Sequence, residues 1–282
     1  MSARNWCLGA GALAASATGF LAGVRYADER RLRRTWRRLD ATGSHGAPRF
    51  TLDRVAGLPE PARRYLCRAI HRGAWLSRVG VYRMSGEIRL GPDDTWYPME
   101  AREILAPGIG FVWKPVVHAG RLTLSGGDYY LAGDGGQRFH LWRVLPFLRS
   151  GGPRVASSQR GRLVAETILH PAATLPCLAG DMGCWGALDE HRALWRTRID
   201  GEEVELVLTV DDDGSLRSAT VDRWTDRTPD GRFSRVPFSV EVLSEAQFGD
   251  YVLPERLRAG WELGTDREFD FFHAKIEDAV FY

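Results

Sequence analysis

The sequence lacks the patterns that define several common chemistries. It contains no glycine-rich phosphate loop and no alternation of strands with helices, which argues against a doubly wound nucleotide-binding fold. No serine stands in a Gly-x-Ser-x-Gly turn, so the usual nucleophile of α/β-hydrolases is missing. The acidic residues 211–213 lack the ligand spacing of a calcium loop and predict a hairpin turn instead. None of these motifs therefore indicates which reaction, if any, the protein catalyses.

Cysteine is scarce, with four residues in a chain of 282. Cys7 lies in an apolar run and the other three are irregularly spaced, so the sequence predicts no disulfide framework. Four residues that could bind zinc follow one another at seven-residue steps: His170, Cys177, Cys184 and His191. Structural zinc sites use closer pairs, and the intervening prolines and glycines exclude one continuous helix. We therefore predict neither a metal ion nor a cofactor.

A strong charge of either sign is also missing, because the formal net charge is only +2. Arginines near the N-terminus account for that excess, so the remainder of the chain is slightly acidic. Nucleic-acid binding requires a broad positive surface. The charge distribution therefore predicts no nucleic-acid partner. Apolar residues make up 44% of the sequence, which excludes disorder as the main state of the chain.

An uncharged run occupies residues 6–24. A run of this length can cross a bilayer as a helix, although its many alanines and glycines make transfer into lipid only marginally favourable. A dense group of arginines follows it, made up of Arg25, Arg30, Arg31, Arg33, Arg34, Arg37 and Arg38. We predict that residues 1–40 form a transmembrane helix with a basic stalk, whose arginines face either anionic lipid head groups or solvent.

The same arginines predict which side of the membrane holds the rest of the chain. Segments rich in arginine tend to remain on the cytoplasmic side, so we predict a single-pass protein of the inner (cytoplasmic) membrane with its C-terminal domain in the cytoplasm. Two alternatives stay open for the apolar run. One is a soluble alanine-rich helix. The other is a cleaved signal peptide, because residues 12–14 and 15–17 both resemble small-residue cleavage sites, and it places the domain in the periplasm.

The rest of the chain divides into a linker at residues 41–57 and one domain at residues 58–282. Helical spacing of apolar residues predicts a short helix that opens at Leu58 and a second helix at residues 160–169, which Pro171 ends. Period-two alternation between turn residues predicts strands at residues 79–90, 95–106, 110–117, 121–132, 137–144, 194–199, 204–210, 216–224, 237–248, 254–263 and 269–280. The pattern indicates an α+β domain built on an antiparallel meander.

Aromatic residues are denser between residues 96 and 147 than a small core requires. They could line a pocket for an acyl chain or another apolar ligand, or they could pack the core beneath the helices. The candidate ligand-binding residues are Trp96, Phe111, Trp113, Tyr130, Trp142, Glu166 and His170. Alternation predicts that nearby paired glutamates such as Glu100 and Glu103 lie mostly on a solvated strand face.

Three segments resemble an uncharacterised bacterial family that is classified only as a domain of unknown function. Residues 57–66 match its LP-x-P-x-R-x-Y opening, residues 107–113 its PGFVW element, and residues 161–176 its GEL-x-RYLAE…W-x-PTALLP segment. His170 and Ala172 depart from the pattern, because the family tends to have aromatic residues near these positions. The resemblance covers residues 55–282. It implies a strongly curved antiparallel sheet, a half-barrel of about ten strands with helices on its concave face, similar to the LolA-type folds that carry lipids.

These observations favour a membrane-anchored module that binds a lipid or another apolar ligand. The membrane is its predicted partner, contacted through residues 6–24. Two alternatives stay open. One is a membrane-associated, hydrolase-like enzyme whose polar cluster is Glu166, His170 and His191. The other is a structural or interaction domain without a small ligand.

Overall fold

The described part of the chain folds around one curved antiparallel sheet of thirteen strands. The structure, a computed structural model, describes residues 3–43, 47–179 and 183–282. The strands are β1 Gly80–Ile88, β2 Tyr97–Ala106, β3 Gly110–Ala119, β4 Leu122–Leu131, β5 Asp134–Leu141, β6 Leu145–Gly151, β7 Gly183–Ala187, β8 Arg192–Ile199, β9 Glu202–Val210, β10 Leu216–Thr225, β11 Ser234–Phe248, β12 Tyr251–Trp261 and β13 Phe269–Phe281. The predicted α+β class and curved half-barrel are confirmed.

The strand order is β6-β5-β4-β3-β2-β1-β13-β12-β11-β10-β9-β8-β7. Each half is a meander, because antiparallel strands joined by short turns pair with their neighbours in sequence. The halves meet where β1 pairs with β13, which sets Gly86 opposite Ala274. The first meander ends at one edge of the sheet and the second begins at the other edge. The connection between β6 and β7 must therefore cross the whole sheet.

The helices are α1 Ala3–Asp40, α2 Glu60–Ala69, α3 Pro153–Ala165 and α4 Pro176–Ala179, with short 3₁₀ helices at Leu52–Arg54, Glu166–Leu169 and Pro171–Thr174. Helix α3, the last two 3₁₀ helices and α4 form the connection that crosses the concave face. Helix α2 lies on the same face and buries its apolar side, including Tyr65 and Leu66. The main core lies between these helices and the sheet.

The structure adds two strands and lengthens one helix relative to the sequence prediction. Strand β6 has no buried residue and β7 is rich in glycine, so neither shows the alternation by which strands are recognised. Helix α3 begins at Pro153 rather than at residue 160. Proline suits the first turn of a helix, and the helix continues from it without a break to Ala165.

The N-terminal helix corrects a second prediction. Helix α1 extends over the apolar run and the arginine-rich stalk without a break. Among the described residues, no helix combines the length and the apolar character needed to span a membrane. The transmembrane helix predicted for residues 6–24 is therefore not found, because alanine and glycine contribute too little hydropathy. The predicted cytoplasmic location stays a prediction.

The C-terminal half of α1 packs against the outer face of the sheet. Asp28, Leu32, Thr35 and Leu39 form a buried stripe with helical spacing. Leu32 and Leu39 contact a small outer core built on β2, β3 and β4. The stripe contains two polar residues and lies among arginines. The sequence pattern therefore predicted a solvated or lipid-facing stalk instead of a helix packed on the sheet.

A buried ion cluster reinforces the contact between α1 and the sheet. The Asp28 carboxylate lies 3.0 Å from Arg149 Nε, 3.3 Å from Arg138 Nε and 3.3 Å from His140 Nε2. Asp28 is only 3% exposed, so its charge requires these partners. The stalk is therefore part of the folded domain.

Replacing Leu32 with alanine tests this packing. The Leu32 side chain is 1% exposed and packs closely on Gly127 of β4. The packing is so close that a Cβ atom added to Gly127 would lie only 3.2 Å from Leu32 Cδ1. We expect the free energy of unfolding to fall by about 2–5 kcal/mol, measured by urea titration. Arg34→Ala, at an exposed position on the same helix, should change it by less than about 0.5 kcal/mol. Equal stability of the two variants would show that α1 does not support the fold.

Candidate functional site

A cavity of about 700 Å³ lies between α3 and the concave face of the sheet. Its wall is mainly apolar and includes the aromatic rings of Trp113, Phe139, Phe238, Trp261 and Phe272. The volume falls within the range of roughly 300–1,000 Å³ that is typical of small-molecule sites. The cavity is the candidate functional site.

The cavity opens beside apolar side chains that are in contact with water. Leu90, Phe147 and Leu148 line it and are 45%, 53% and 38% exposed, respectively. Phe147 and Leu148 belong to β6, the edge strand next to β5. An apolar ligand could therefore meet apolar protein surface before it enters the cavity.

A row of side chains across neighbouring strands forms the polar part of the wall. Glu103 on β2 lies opposite Trp113 on β3, Trp113 lies opposite Asp128 on β4, and Asp128 lies opposite Gln137 on β5. Directly opposite residues of antiparallel strands project to the same face. The register thus brings two carboxyl groups to either side of one indole ring.

Arg162 on α3 reaches into this row and binds its carboxyl groups. Its Nη1 donates to Asp128 Oδ2 at 2.7 Å, and its Nε donates to Glu166 Oε1 at 2.6 Å. Its Nη2 lies 3.7 Å from Glu103 Oε1. Burial opposes the charge of Arg162, but the three carboxyl groups outweigh burial and raise the pKa of the guanidinium above its usual value.

Glu103 lies buried beside Glu166, and its surroundings favour the protonated form of its carboxyl group. Burial, and then the Glu166 charge, raise the pKa of Glu103 well above its usual value. Glu103 Oε1 and Glu166 Oε2 are both buried, and neither has a hydrogen-bond donor among the described residues. A proton on Glu103 satisfies both oxygens, because a protonated carboxyl can donate to its neighbour. We therefore assign Glu103 as the neutral member of the cluster.

Two of the seven predicted site residues line the cavity, and the other five do not. Trp113 and Glu166 line the cavity. The other five lie elsewhere. Phe111 is buried beneath Arg162, whose Cζ lies 4.7 Å from the ring centroid, while Tyr130 is buried and donates its hydroxyl proton to Asp200. Trp96 stacks on His273 with ring centroids 4.0 Å apart, and Trp142 is 52% exposed.

His170 belongs to the core beside the 3₁₀ helices. It is fully buried, and its Nε2 lies 3.0 Å from the Ser77 carbonyl oxygen. The polar cluster of Glu166, His170 and His191 predicted for an enzyme does not form, because each residue has different neighbours. Glu166 binds Arg162, whereas His191 lies near the exposed Glu190 and Asp212.

The possible zinc ligands also lie apart. Cys177 and Cys184 are exposed free thiols. Within residues 3–43, 47–179 and 183–282, no group of three or more histidine, cysteine, aspartate or glutamate residues is placed to hold a metal ion.

Sequence reasoning missed Glu103, Asp128, Arg162 and Arg223. The prediction of a solvated face was wrong for Glu103, which is 1% exposed, whereas Glu100 is exposed. Alternation contained the signal for two of them: Glu103 shares its face with Ala101 and Leu105, and Arg223 shares its face with Val221. A charged residue in an otherwise apolar alternating series marks a buried charge or a site.

Comparison with known protein families assigns the chain to one family. Residues 48–274 match the model of DUF6544, a family of unknown function. The chain belongs to this family. The resemblance that the motifs predicted is thereby confirmed. A search of curated proteins found no match.

The solved structures with distant similarity include two examples. A LolA superfamily protein from Nitrosomonas europaea is 9% identical with a TM-score of 0.35, over 79% of this chain and 92% of that one. A DUF1329 family protein from Desulfovibrio piger is 14% identical with a TM-score of 0.40, over 73% and 86% of the two chains.

Proposed function

We propose that the protein binds a lipid or another apolar ligand in the cavity beneath α3. The cavity itself is the observation that carries the proposal, because it combines a volume of about 700 Å³ with a largely apolar wall. An apolar ligand would gain free energy by leaving water, at about 25 cal/mol for each Å² of apolar surface buried. A protein without a ligand tends to fill such a space with its own side chains.

A membrane is the proposed source of the ligand. The exposed Leu90, Phe147 and Leu148 at the opening support this, since exposed apolar groups beside a cavity suit contact with lipid. The arginines of α1 support it as well, because anionic lipids attract them. The proposed contact with the inner membrane is made at its surface, through these arginines.

Filling the cavity tests the proposed function. Ala274 lines the cavity from β13, and Ala274→Phe adds a ring to that space. We expect the affinity for the neutral fluorescent probe N-phenyl-1-naphthylamine to fall by about tenfold or more, because the ring competes with the probe for volume. Fluorescence titration measures the change. Native mass spectrometry of the wild-type protein should show copurified lipid, which the variant loses.

A matched control changes the other face of the same strand. Lys275 Nζ donates a hydrogen bond to Glu277 Oε2 at 2.8 Å, and Lys275 is not among the residues that line the cavity. Lys275→Phe adds the same ring and should leave probe binding unchanged. Absence of probe binding to the wild-type protein would rule out the proposed function.

A further inference from the structure

Arg223 lines the cavity as a buried cation that has no carboxylate partner in the described part of the chain. It lies on the inward face of β10 and is 7% exposed. Among the described residues, no carboxyl group comes within 4.0 Å of its nitrogens, whereas three carboxyl groups lie within that distance of Arg162. Its Nε donates a long hydrogen bond of 3.4 Å to the Ser158 carbonyl oxygen. Most of its donors therefore remain free.

Aromatic rings surround the Arg223 guanidinium. Its Cζ lies 4.3 Å from the ring centroid of Phe238 and 5.0 Å from that of Trp261. Ring faces attract a cation, but they supply no countercharge and accept no strong hydrogen bonds. The burial of this charge thus remains incompletely compensated.

The protonation state of Arg223 follows from this environment. Burial, and then the nearby Arg162 charge, lower the pKa of Arg223 to about 9. The group is still mainly protonated at pH 7. Both causes would be reduced by an anion placed against it.

The charges that line the cavity leave room for an anion. Five arginines and four carboxyl groups stand among its described lining residues. Of these carboxyl groups, Glu103 is assigned as neutral, Asp128 and Glu166 are already bound to Arg162, and Asp226 is exposed to solvent. Arg154 and Arg227, both exposed, line the same cavity. The cavity therefore favours anions over cations.

We propose that Arg223 binds the anionic head group of an amphiphile whose apolar chain lies against the aromatic wall. This inference rests on the proposed function, because it assigns the ligand class for the same cavity. Carboxylates and phosphate monoesters both present oxygen acceptors that fit the guanidinium donors. Such a ligand pairs the buried charge and fills the apolar space together.

Competition with N-phenyl-1-naphthylamine on the full chain tests the head-group preference. Palmitate, cetyl phosphate, cetyl alcohol and cetylamine carry chains of the same length. We expect the better of the two anions to bind roughly 10- to 100-fold more tightly than the alcohol, because a hydrogen bond to a charged group is stronger than one to a neutral group. Palmitate and cetyl phosphate distinguish a carboxylate from a phosphate ligand. Equal affinities for all four would overturn the inference.

Arg223→Met assigns the preference to this residue. Methionine keeps an unbranched apolar stem and removes an unpaired buried charge, so we expect the variant to fold with an unchanged or raised melting temperature. Its affinity for the preferred anion should fall to that for the alcohol, while affinity for the alcohol and the probe stays constant. A retained preference would contradict the role of Arg223.

Two further variants complete the test. Arg223→Lys keeps the charge and should retain a preference for anions, even if methionine prevents folding. Arg217→Gln removes an exposed arginine of β10 that pairs with Asp211, and should change no affinity. Binding of the probe and the alcohol without anion preference would reject only this inference. Absence of all binding would reject the proposed function itself.

Discussion

Replacing Arg162 with methionine is expected to lower the free energy of unfolding by about 3–5 kcal/mol, because it leaves buried carboxylates without their cation. Asp128 and Glu166 each lose a hydrogen bond of less than 2.8 Å. The remaining acidic groups then repel one another at positions where their side chains are mostly buried. Urea unfolding of the wild-type and variant proteins at neutral pH measures the loss.

Glu103→Gln is the matched control within the same cluster. Glutamine has the shape of a protonated glutamate, and its amide can donate to Glu166 in place of the shared proton. Because we assign Glu103 as neutral, the free energy of unfolding should change by less than about 1 kcal/mol. A loss as large as that of Arg162→Met would instead show that Glu103 is ionised and that Arg162 holds three carboxylates.

Acidification from pH 6.5 to pH 4 is expected to destabilise the protein by about 3 kcal/mol through His170 alone. Burial lowers the pKa of this histidine from 6.5 to about 4, although the hydrogen bond to the Ser77 carbonyl opposes the shift. The unfolded chain binds a proton in this range and the folded protein does not. Stability therefore falls as pH falls through the window and is retained above pH 6.5.

His170→Gln isolates this contribution from other titrating groups. The variant loses core contacts at every pH, but its stability should depend less on pH between 4 and 6.5 than that of the wild-type protein. Urea midpoints at several pH values in this window give the comparison. His118→Gln, at an exposed position on β3, should keep the wild-type dependence. Parallel curves for the wild-type protein and His170→Gln would mean that His170 titrates normally in the folded state.

The predictability of the fold varies with how local its causes are. Strands β1 to β5 and β8 to β13 were predicted because their alternation and the turn residues between them are local signals. Strand β6 was missed because its exposed Leu145, Phe147 and Leu148 break the two-residue period. Helix α1 was misread for a related reason. Its buried Asp28 depends on Arg138 and Arg149, more than a hundred residues away.

The candidate site was less predictable than the fold. Trp113 and Glu166 were expected beside a ligand and do line the cavity. The grouping with His170 and His191 was wrong, because sequence proximity and residue type do not specify which face or strand a side chain shares. Arginine is abundant in the sequence, so residue type alone did not identify Arg162 and Arg223 as site residues. Their burial distinguishes them, and burial is a property of the packed molecule.

The sequence by itself determined the family, the antiparallel strand pattern and most turns, since these depend on neighbouring residues. Only the tertiary structure decided that β1 pairs with β13 and that the segment between β6 and β7 crosses the concave face. It also decided that Arg162 lies beside Glu103 and Asp128, while Arg223 has no carboxyl neighbour within residues 3–43, 47–179 and 183–282. These contacts join residues far apart in the chain, so strand register and packing, rather than local preference, fix the charges inside the cavity.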